Sequence, residues 1–348
     1  MDGEGFGQRT FSMGEYLDGK YRVLQPKLGF KARSEEEWLG WRSALEAKLI
    51  ELLGDWPEPC ELNPIIVERV DEGGYIREKV LIQSEVGMAV PAYVLLPKTL
   101  KPGERVKALL CAHGHGNGKD DVVGITQGEA RRVFTVQQHN YDYARQFALR
   151  GYVVMAPDWR GFGERKVGYE FPGRDGCNVV FLKALLLGLN PLTLNIWDAL
   201  RCIDYLETRP EVDAKRIGMI GLSYGGTMTL FTSALDQRVK VAVVSGYLNS
   251  FKAFALDYGN FCGSQTIPGL LKYGEMWDYA GLIAPRPLLI ESGVRDEGFP
   301  IEASRYAYSK LKEVYEVLKV PERCDVDEFD GGHRFSGRKA FQWFERWL

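Results

Sequence analysis

The stretch that most constrains this chain is Gly221-Leu222-Ser223-Tyr224-Gly225. It follows the run Arg216-Ile217-Gly218-Met219-Ile220 and opens into the helix-like segment Thr227-Met228-Thr229-Leu230-Phe231. A serine hydroxyl attacks poorly until it stands clear of its neighbours and a base can reach it, and a sharp strand-to-helix turn meets the first need. Gly221 and Gly225 flank the serine where a side chain would collide across so tight a turn, and Gly226 extends the relief. Ser223 is therefore a candidate nucleophile.

The surroundings of this turn repeat one pattern. Apolar runs at 106–112, 152–156, 217–222, 239–245, 287–292 and 324–329 alternate with helical stretches at about 140–150, 192–208, 224–235, 301–317 and 336–347. Such alternation predicts a mostly parallel sheet covered by helices on both faces, an α/β architecture. Upstream, 65–67, 75–84 and 88–96 read as strands of antiparallel hairpins, separated by Gly73-Gly74 and Gly87. Earlier still, Trp38, Trp41, Leu45 and Leu49 follow Ser34-Glu35-Glu36-Glu37 at three-to-four-residue spacing, which predicts an amphipathic helix over 33–54 with a serine cap and an acidic first turn. The expected division is an N-terminal helical extension over 1–63 and a catalytic domain over 64–348. Two Gly-, Pro- and aromatic-rich segments, 160–191 and 247–280, each follow a strand of the parallel sheet, where ligand crevices form, and read as cap or pocket segments.

A serine nucleophile needs a base, and the chain offers four histidines. His333, in Asp330-Gly331-Gly332-His333, follows the last strand and so falls at the same sheet edge as Ser223. An acid must hold the imidazole tautomer, and Asp296, just past the strand 287–292, lies on that edge too; Glu291 and Glu297 are weaker candidates. The order Ser223, Asp296, His333 is that of an α/β-hydrolase triad. For the oxyanion, the backbone amides of Tyr224 and His115 are the expected donors, with Gly116 second, the latter two in the loop Cys111-Ala112-His113-Gly114-His115-Gly116. Trp159 and Phe162, in Asp158-Trp159-Arg160-Gly161-Phe162-Gly163, are expected to line the substrate pocket, while Asp158 and Arg160 fix their loop through ion pairs. His113 and His115 with Asp120 and Asp121 would suit zinc or manganese. Their interleaved glycines fit an oxyanion loop better, so no metal is expected.

Composition narrows the function classes. The 44 Lys and Arg are interspersed with 47 Asp and Glu for a net charge of −3, which calls for neither nucleic acid nor an anionic membrane surface. The N-terminus lacks a basic region followed by an apolar stretch, and the most apolar window, 179–189, falls short of the ~20 residues that span a bilayer. That window reads as a buried or cap helix. Six cysteines scattered through apolar settings read as reduced thiols, and the expected location is the cytoplasm.

Taken with Ala284-Pro285-Arg286-Pro287 and Gly332-His333, these motifs make the chain resemble the α/β-hydrolase superfamily, in the branch of dienelactone-hydrolase-like and acetyl-xylan-esterase-like proteins. The resemblance implies an eight-stranded mixed sheet, the triad Ser223, Asp296 and His333, no cofactor, and hydrolysis of small-molecule esters of short, acetyl-like acyl groups. Dienelactone hydrolases carry cysteine where Ser223 stands, and the multifunctional acetyl-xylan deacetylases carry Arg-Gly-Gln-Gly in place of Arg160-Gly161-Phe162-Gly163. A serine peptidase of the prolyl-oligopeptidase type is the alternative enzyme, although ~100 residues ahead of the core are few for a gating β-propeller. A non-catalytic binding protein on the same fold is the alternative of another class. A homo-oligomer is compatible with all of these.

Overall fold

The computed structural model describes residues 10–167, 175–259 and 261–348. Residues 168–174 of the first expected cap segment and Asn260 of the second lie outside the described residues. Two helices open the chain, α1 (Met13–Arg22) and α2 (Glu35–Leu53). Serine caps both: Ser12 accepts from the Glu15 amide and Ser34 from the Glu37 amide, each satisfying one of the orphan donors of a first turn. The helix expected over 33–54 is α2, whereas α1 has no buried residue and left no periodic apolar signal. Trp38, Leu45, Leu49 and Leu53 of α2 enter the same core as the sheet. Phe30 N donates to Asp278 at 2.8 Å and Thr193 Oγ1 to Leu53 O at 2.6 Å, which ties the extension down.

Nine strands follow: β1 (Ile65–Asp71), β2 (Tyr75–Glu85), β3 (Met88–Pro97), β4 (Val106–Ala112), β5 (Val153–Pro157), β6 (Val212–Leu222), β7 (Val239–Ser245), β8 (Leu288–Gly293) and β9 (Cys324–Phe329). They form one sheet in the order β1-β2-β3-β5-β4-β6-β7-β8-β9, antiparallel from β1 to the β3/β5 pair and parallel beyond it. The eight-stranded expectation is one strand short. β1 adds an outer strand whose side chains are nearly all exposed, so it pairs through its backbone without entering the core.

The remaining helices are α3 (Lys119–Val123), α4 (Ala130–Gln138), α5 (Tyr143–Ala148), α6 (Gly176–Leu186), α7 (Pro191–Thr208), α8 (Tyr224–Leu235), α9 (Met276–Gly281), α10 (Ile301–Val317) and α11 (Ala340–Trp347). The period-two alternation of the strands sorts them onto two faces. Ala108, Leu110, Met155 and Met219 pack with α2, α7, α8 and α10, while Leu109, Cys111, Val154 and Ile220 pack with α5 and α11. The window expected as a buried or cap helix is α6. It buries Cys177, Val179 and Ala184, but Leu182, Leu185 and Leu186 face outward. Among the described residues no single helix is long and apolar enough to cross a membrane.

Three buried carboxyls give stability a definite pH dependence. Burial pushes Glu291 and Glu275 up to about 7 and Asp278 to about 6. Their folded forms bind a proton more tightly than the unfolded chain does, so the stability they contribute is full below the unfolded values and is lost as pH rises through 6–7. For Glu291 alone the effect is on the order of 3 kcal/mol. Asp198 runs the other way: burial disfavours its charge, but Arg165 and Arg160 outweigh burial and hold it below the usual carboxylate range, a contribution lost in acid. The thermal midpoint should therefore be higher near about pH 5.5 than near about pH 8 and should fall again below about pH 4, by calorimetry across that range.

Candidate active site

β6 ends at Leu222 and α8 begins at Tyr224, so a single residue makes the turn. That residue is Ser223, at φ 63° and ψ −121°, a conformation that costs a non-glycine residue roughly 1–3 kcal/mol. Its amide donates to Ser245 O at 3.0 Å, which holds the turn against the end of β7. Its side chain makes no capping bond to α8, leaving the hydroxyl available. The flanking glycines are there for space. A Cβ on Gly221 would lie 2.3 Å from Gly225 O, and one on Gly225 would lie 2.0 Å from Ala112 O. Both obstacles are backbone, so neither can swing aside.

This contact yields a prediction. Gly225→Ala must push α8 away from the loop after β4, displacing Ser223 relative to its surroundings; turnover should fall about 10²-fold or more and the thermal midpoint should drop by the equivalent of about 1–3 kcal/mol. Gly40→Ala on the exposed side of α2, where an added Cβ meets nothing within 4 Å, should instead stabilise by about 0.5–1 kcal/mol.

The loops after β8 and β9 are stitched together by backbone. Val294 N donates to Phe329 O at 3.0 Å and Arg295 N to Gly331 O at 2.9 Å. Gly293 packs so closely on that second loop that a Cβ there would lie 2.4 Å from Gly332 O. The result brings His333 Nδ1 to 2.7 Å from Asp296 Oδ2. Asp296 is 6% exposed, and its other oxygen accepts from the amides of Gly298 at 3.0 Å and Phe299 at 3.2 Å. Phe299 stacks on the imidazole with ring centres 5.4 Å apart, and Phe254 stacks on Phe299 at 4.9 Å. The ring of His333 also lies against Gly246, where a Cβ would sit 3.1 Å from Cε1.

Ser223, Asp296 and His333 line one cavity of about 550 Å³. The segment 160–191 contributes Asp175 and Asn178 to its wall, and 247–280 contributes Phe254, Tyr258, Phe261 and Cys262. Trp159 and Phe162, expected in that wall, are not part of it. Trp159 is fully buried, its amide donating to His113 Nε2 at 3.0 Å, and Phe162 lies beneath the rings of His115 and Tyr224 at 5.3 and 5.2 Å. They support the loop that faces the cavity. Their segment leaves β5 beneath that loop, so its aromatic rings face the core.

The loop after β4 is held by tyrosines. Tyr143 donates its hydroxyl to Ala112 O at 2.5 Å, and Tyr141 accepts from the Gly114 amide at 2.6 Å. Among the described residues, no protein acceptor receives the amides of His115 or Tyr224. His113 is a strut: Nδ1 meets Gly114 O at 2.7 Å while Nε2 accepts from Trp159, which burial, lowering its basicity, reinforces. With Asp121 accepting from Asn117 and Asp120 from Tyr93, the His113, His115, Asp120, Asp121 set is not assembled. Asp158 and Arg160 pair with other residues rather than each other. Asp158 binds Lys119 at 2.8 Å, and Arg160 grips Asp198 with two bonds of 2.9 Å.

Sequence reasoning passed over His139, whose Nδ1 bonds the carbonyl of His333, and Phe299, which orients its ring. Neither stands in a motif. Glu291, weighed as an acid, is fully buried and accepts from the amides of Ser336 and Gly337, so it anchors the segment after His333.

A serine on the turn out of a central parallel strand, facing an Asp–His pair across the carboxyl edge of a sheet covered on both faces, defines an α/β-hydrolase. The chain belongs to the Abhydrolase family, whose model matches residues 7–330. It is 29% identical over 318 residues to the protein named "Putative hydrolase YtaP" of Bacillus subtilis, which covers 88% of this chain and 100% of that one. The fold is shared with a protein described as a "putative acetyl xylan esterase" from Bacteroides fragilis, at a TM-score of 0.78 and 20% identity over 92% of this chain and 83% of that one. It is likewise shared with a glucuronoyl esterase from Solibacter usitatus, at a TM-score of 0.64 and 16% identity over 93% and 98% of the respective chains.

Proposed function

We propose that this hydrolase is a serine carboxylic-ester hydrolase that works through an acyl-enzyme and prefers short, acetyl-like acyl groups. The observation that carries the reading is the 2.7 Å bond between His333 and Asp296 in the cavity that Ser223 enters. With Asp296 holding Nδ1–H, Nε2 of His333 is left as an acceptor for the serine proton. Ser223 Oγ attacks the ester carbonyl, His333 takes its proton, and the amides of His115 and Tyr224 receive the oxyanion. Collapse expels the alcohol, which takes the proton from His333. Water, deprotonated by the same imidazole, then attacks the acyl carbon, and collapse releases the acid while His333 returns the proton to Ser223 Oγ. Every step uses groups of the chain and water, so the cycle needs no cofactor.

The preference for small acyl groups rests on the resemblance to acetyl esterases, and the fold likeness to proteins named acetyl xylan and glucuronoyl esterases is compatible with a carbohydrate alcohol. Across p-nitrophenyl esters from acetate to decanoate, kcat/KM should be highest at acetate and fall steadily with chain length. A maximum at the long end would remove the acyl assignment, and no turnover of any ester would remove the esterase reading.

A further inference from the structure

Cys177 and Cys262 stand 85 positions apart, yet the fold brings them together beside the cavity. The ligating atoms of His115, Cys177 and Cys262 all lie within 4.8 Å of one another. We infer that these three residues form a binding site for a thiophilic divalent cation such as zinc, and that its occupation suppresses turnover at Ser223; the second half of this inference rests on the esterase reading, the first does not.

The donor set is selective. Two thiolates and an imidazole are soft to borderline ligands suited to zinc, and three protein ligands leave the fourth tetrahedral position open. Zn–S bonds of about 2.3 Å put two thiolates about 3.8 Å apart. Closing the thiolates from within 4.8 Å to that separation takes movements of about an ångström or less at the two cysteines, and the exposed His115 side chain can adjust to complete the set. The two thiols are 1% and 3% exposed, so they are held rather than dangling. Their supports are local: Ser264 N donates to Cys262 Sγ at 3.4 Å, Ser264 Oγ to Cys177 O at 3.4 Å, and Gly263 N to Asn178 Oδ1 at 2.9 Å. The N–H that Ser264 donates to Cys262 Sγ favours a thiolate at Cys262.

The site opens where it would matter. His115 and Cys262 line the Ser223 cavity while Cys177 stands behind it, so the open coordination position faces the space an ester would occupy. Holding the His115 ring on the cation would also pull on the backbone whose amide is proposed to receive the oxyanion. The pairing of these residues differs from the His113, His115, Asp120 and Asp121 set, and it is invisible in the sequence because Cys177 and Cys262 come from two separate cap segments.

The test uses the full-length protein after treatment with a non-thiol reductant that is then removed. Cobalt(II) should bind at about one equivalent with a thiolate charge-transfer band, and zinc should displace it. Zinc should lower p-nitrophenyl acetate turnover more than tenfold, with full recovery on adding a chelator. Cys177→Ser and His115→Ala should each lose the charge-transfer band or weaken binding at least tenfold, and zinc should no longer inhibit Cys177→Ser. His115→Ala changes an exposed side chain, so it reads binding even if the cysteine variant is destabilised; thermal midpoints of both identify a folding defect. The idea is overturned if cobalt gives no charge-transfer band, if a Cys177–Cys262 disulfide survives the reductant, or if zinc inhibits a folded Cys177→Ser as strongly as the parent. A parent that binds cobalt but turns over no ester would leave the cation site standing and remove the esterase reading instead.

Discussion

Ser223→Ala should lower ester turnover by about 10⁵- to 10⁶-fold while the thermal midpoint stays within a degree or two of the parent's. The loss follows from removing the only atom proposed to bond the acyl group. What remains is whatever the proposed oxyanion donors, the His115 and Tyr224 amides, and the cavity contribute to attack by water, which in serine hydrolases is a residual of about 10³–10⁴ over solution. Stability is spared because the hydroxyl makes no capping bond to α8, and alanine meets the same backbone strain at φ 63° that serine does. Ser223→Gly, by contrast, relieves that strain and should raise stability by about 1 kcal/mol or more while being equally inactive. Paired initial-rate and melting measurements on the three proteins check both statements. Retained turnover in a normally stable Ser223→Ala would end the assignment of this residue as nucleophile.

The second large effect belongs to Asp296→Asn, for which kcat should fall by about 10³- to 10⁴-fold with little change in fold. The argument is one of hydrogen-bond direction. In the native protein Oδ1 accepts from the Gly298 and Phe299 amides and Oδ2 faces Nδ1 of His333. A carboxamide that keeps its oxygen on those two amides must turn its NH₂ toward Nδ1, which then has to be the unprotonated nitrogen. The proton moves to Nε2, and the imidazole can no longer accept from Ser223. Asp330, the nearest acid in sequence, cannot substitute, since it is exposed and paired with Arg295. A kcat within tenfold of the parent's would show that Asp296 is not the residue that sets the tautomer.

The order of strands and helices was legible because apolar runs of strand length recur between helical stretches, and the sheet imposes that rhythm on any chain that crosses it repeatedly. Two helices escaped for different reasons: α1 buries nothing and so carries no apolar periodicity, and α3, although packed, is too short to show a period. β1 showed in the sequence only as the short apolar run 65–67, because its side chains are nearly all exposed, and the eight-strand expectation came from the resemblance and not from the apolar runs. The expectation for Trp159 and Phe162 failed for a related reason. Position after a strand places a segment at the active edge, but it does not say which face of the segment is turned inward. Here the rings fill the space under the loop after β4, and the cavity wall is taken by Phe254, Tyr258 and Phe299 from later segments.

By itself, the sequence determined the alternation of elements, the glycine-flanked serine between a strand and a helix, and the small set of histidines and acids that follow strands, because steric relief at a turn and strand-ending loops are written locally. Only the tertiary structure decided which acid meets which base, what holds the imidazole ring, and that Cys177 and Cys262 adjoin His115. These depend on backbone bonds between the loops after β8 and β9 and on two cap segments closing over one edge of the sheet. Contacts between segments far apart in the chain arise from packing, and no local spacing encodes them.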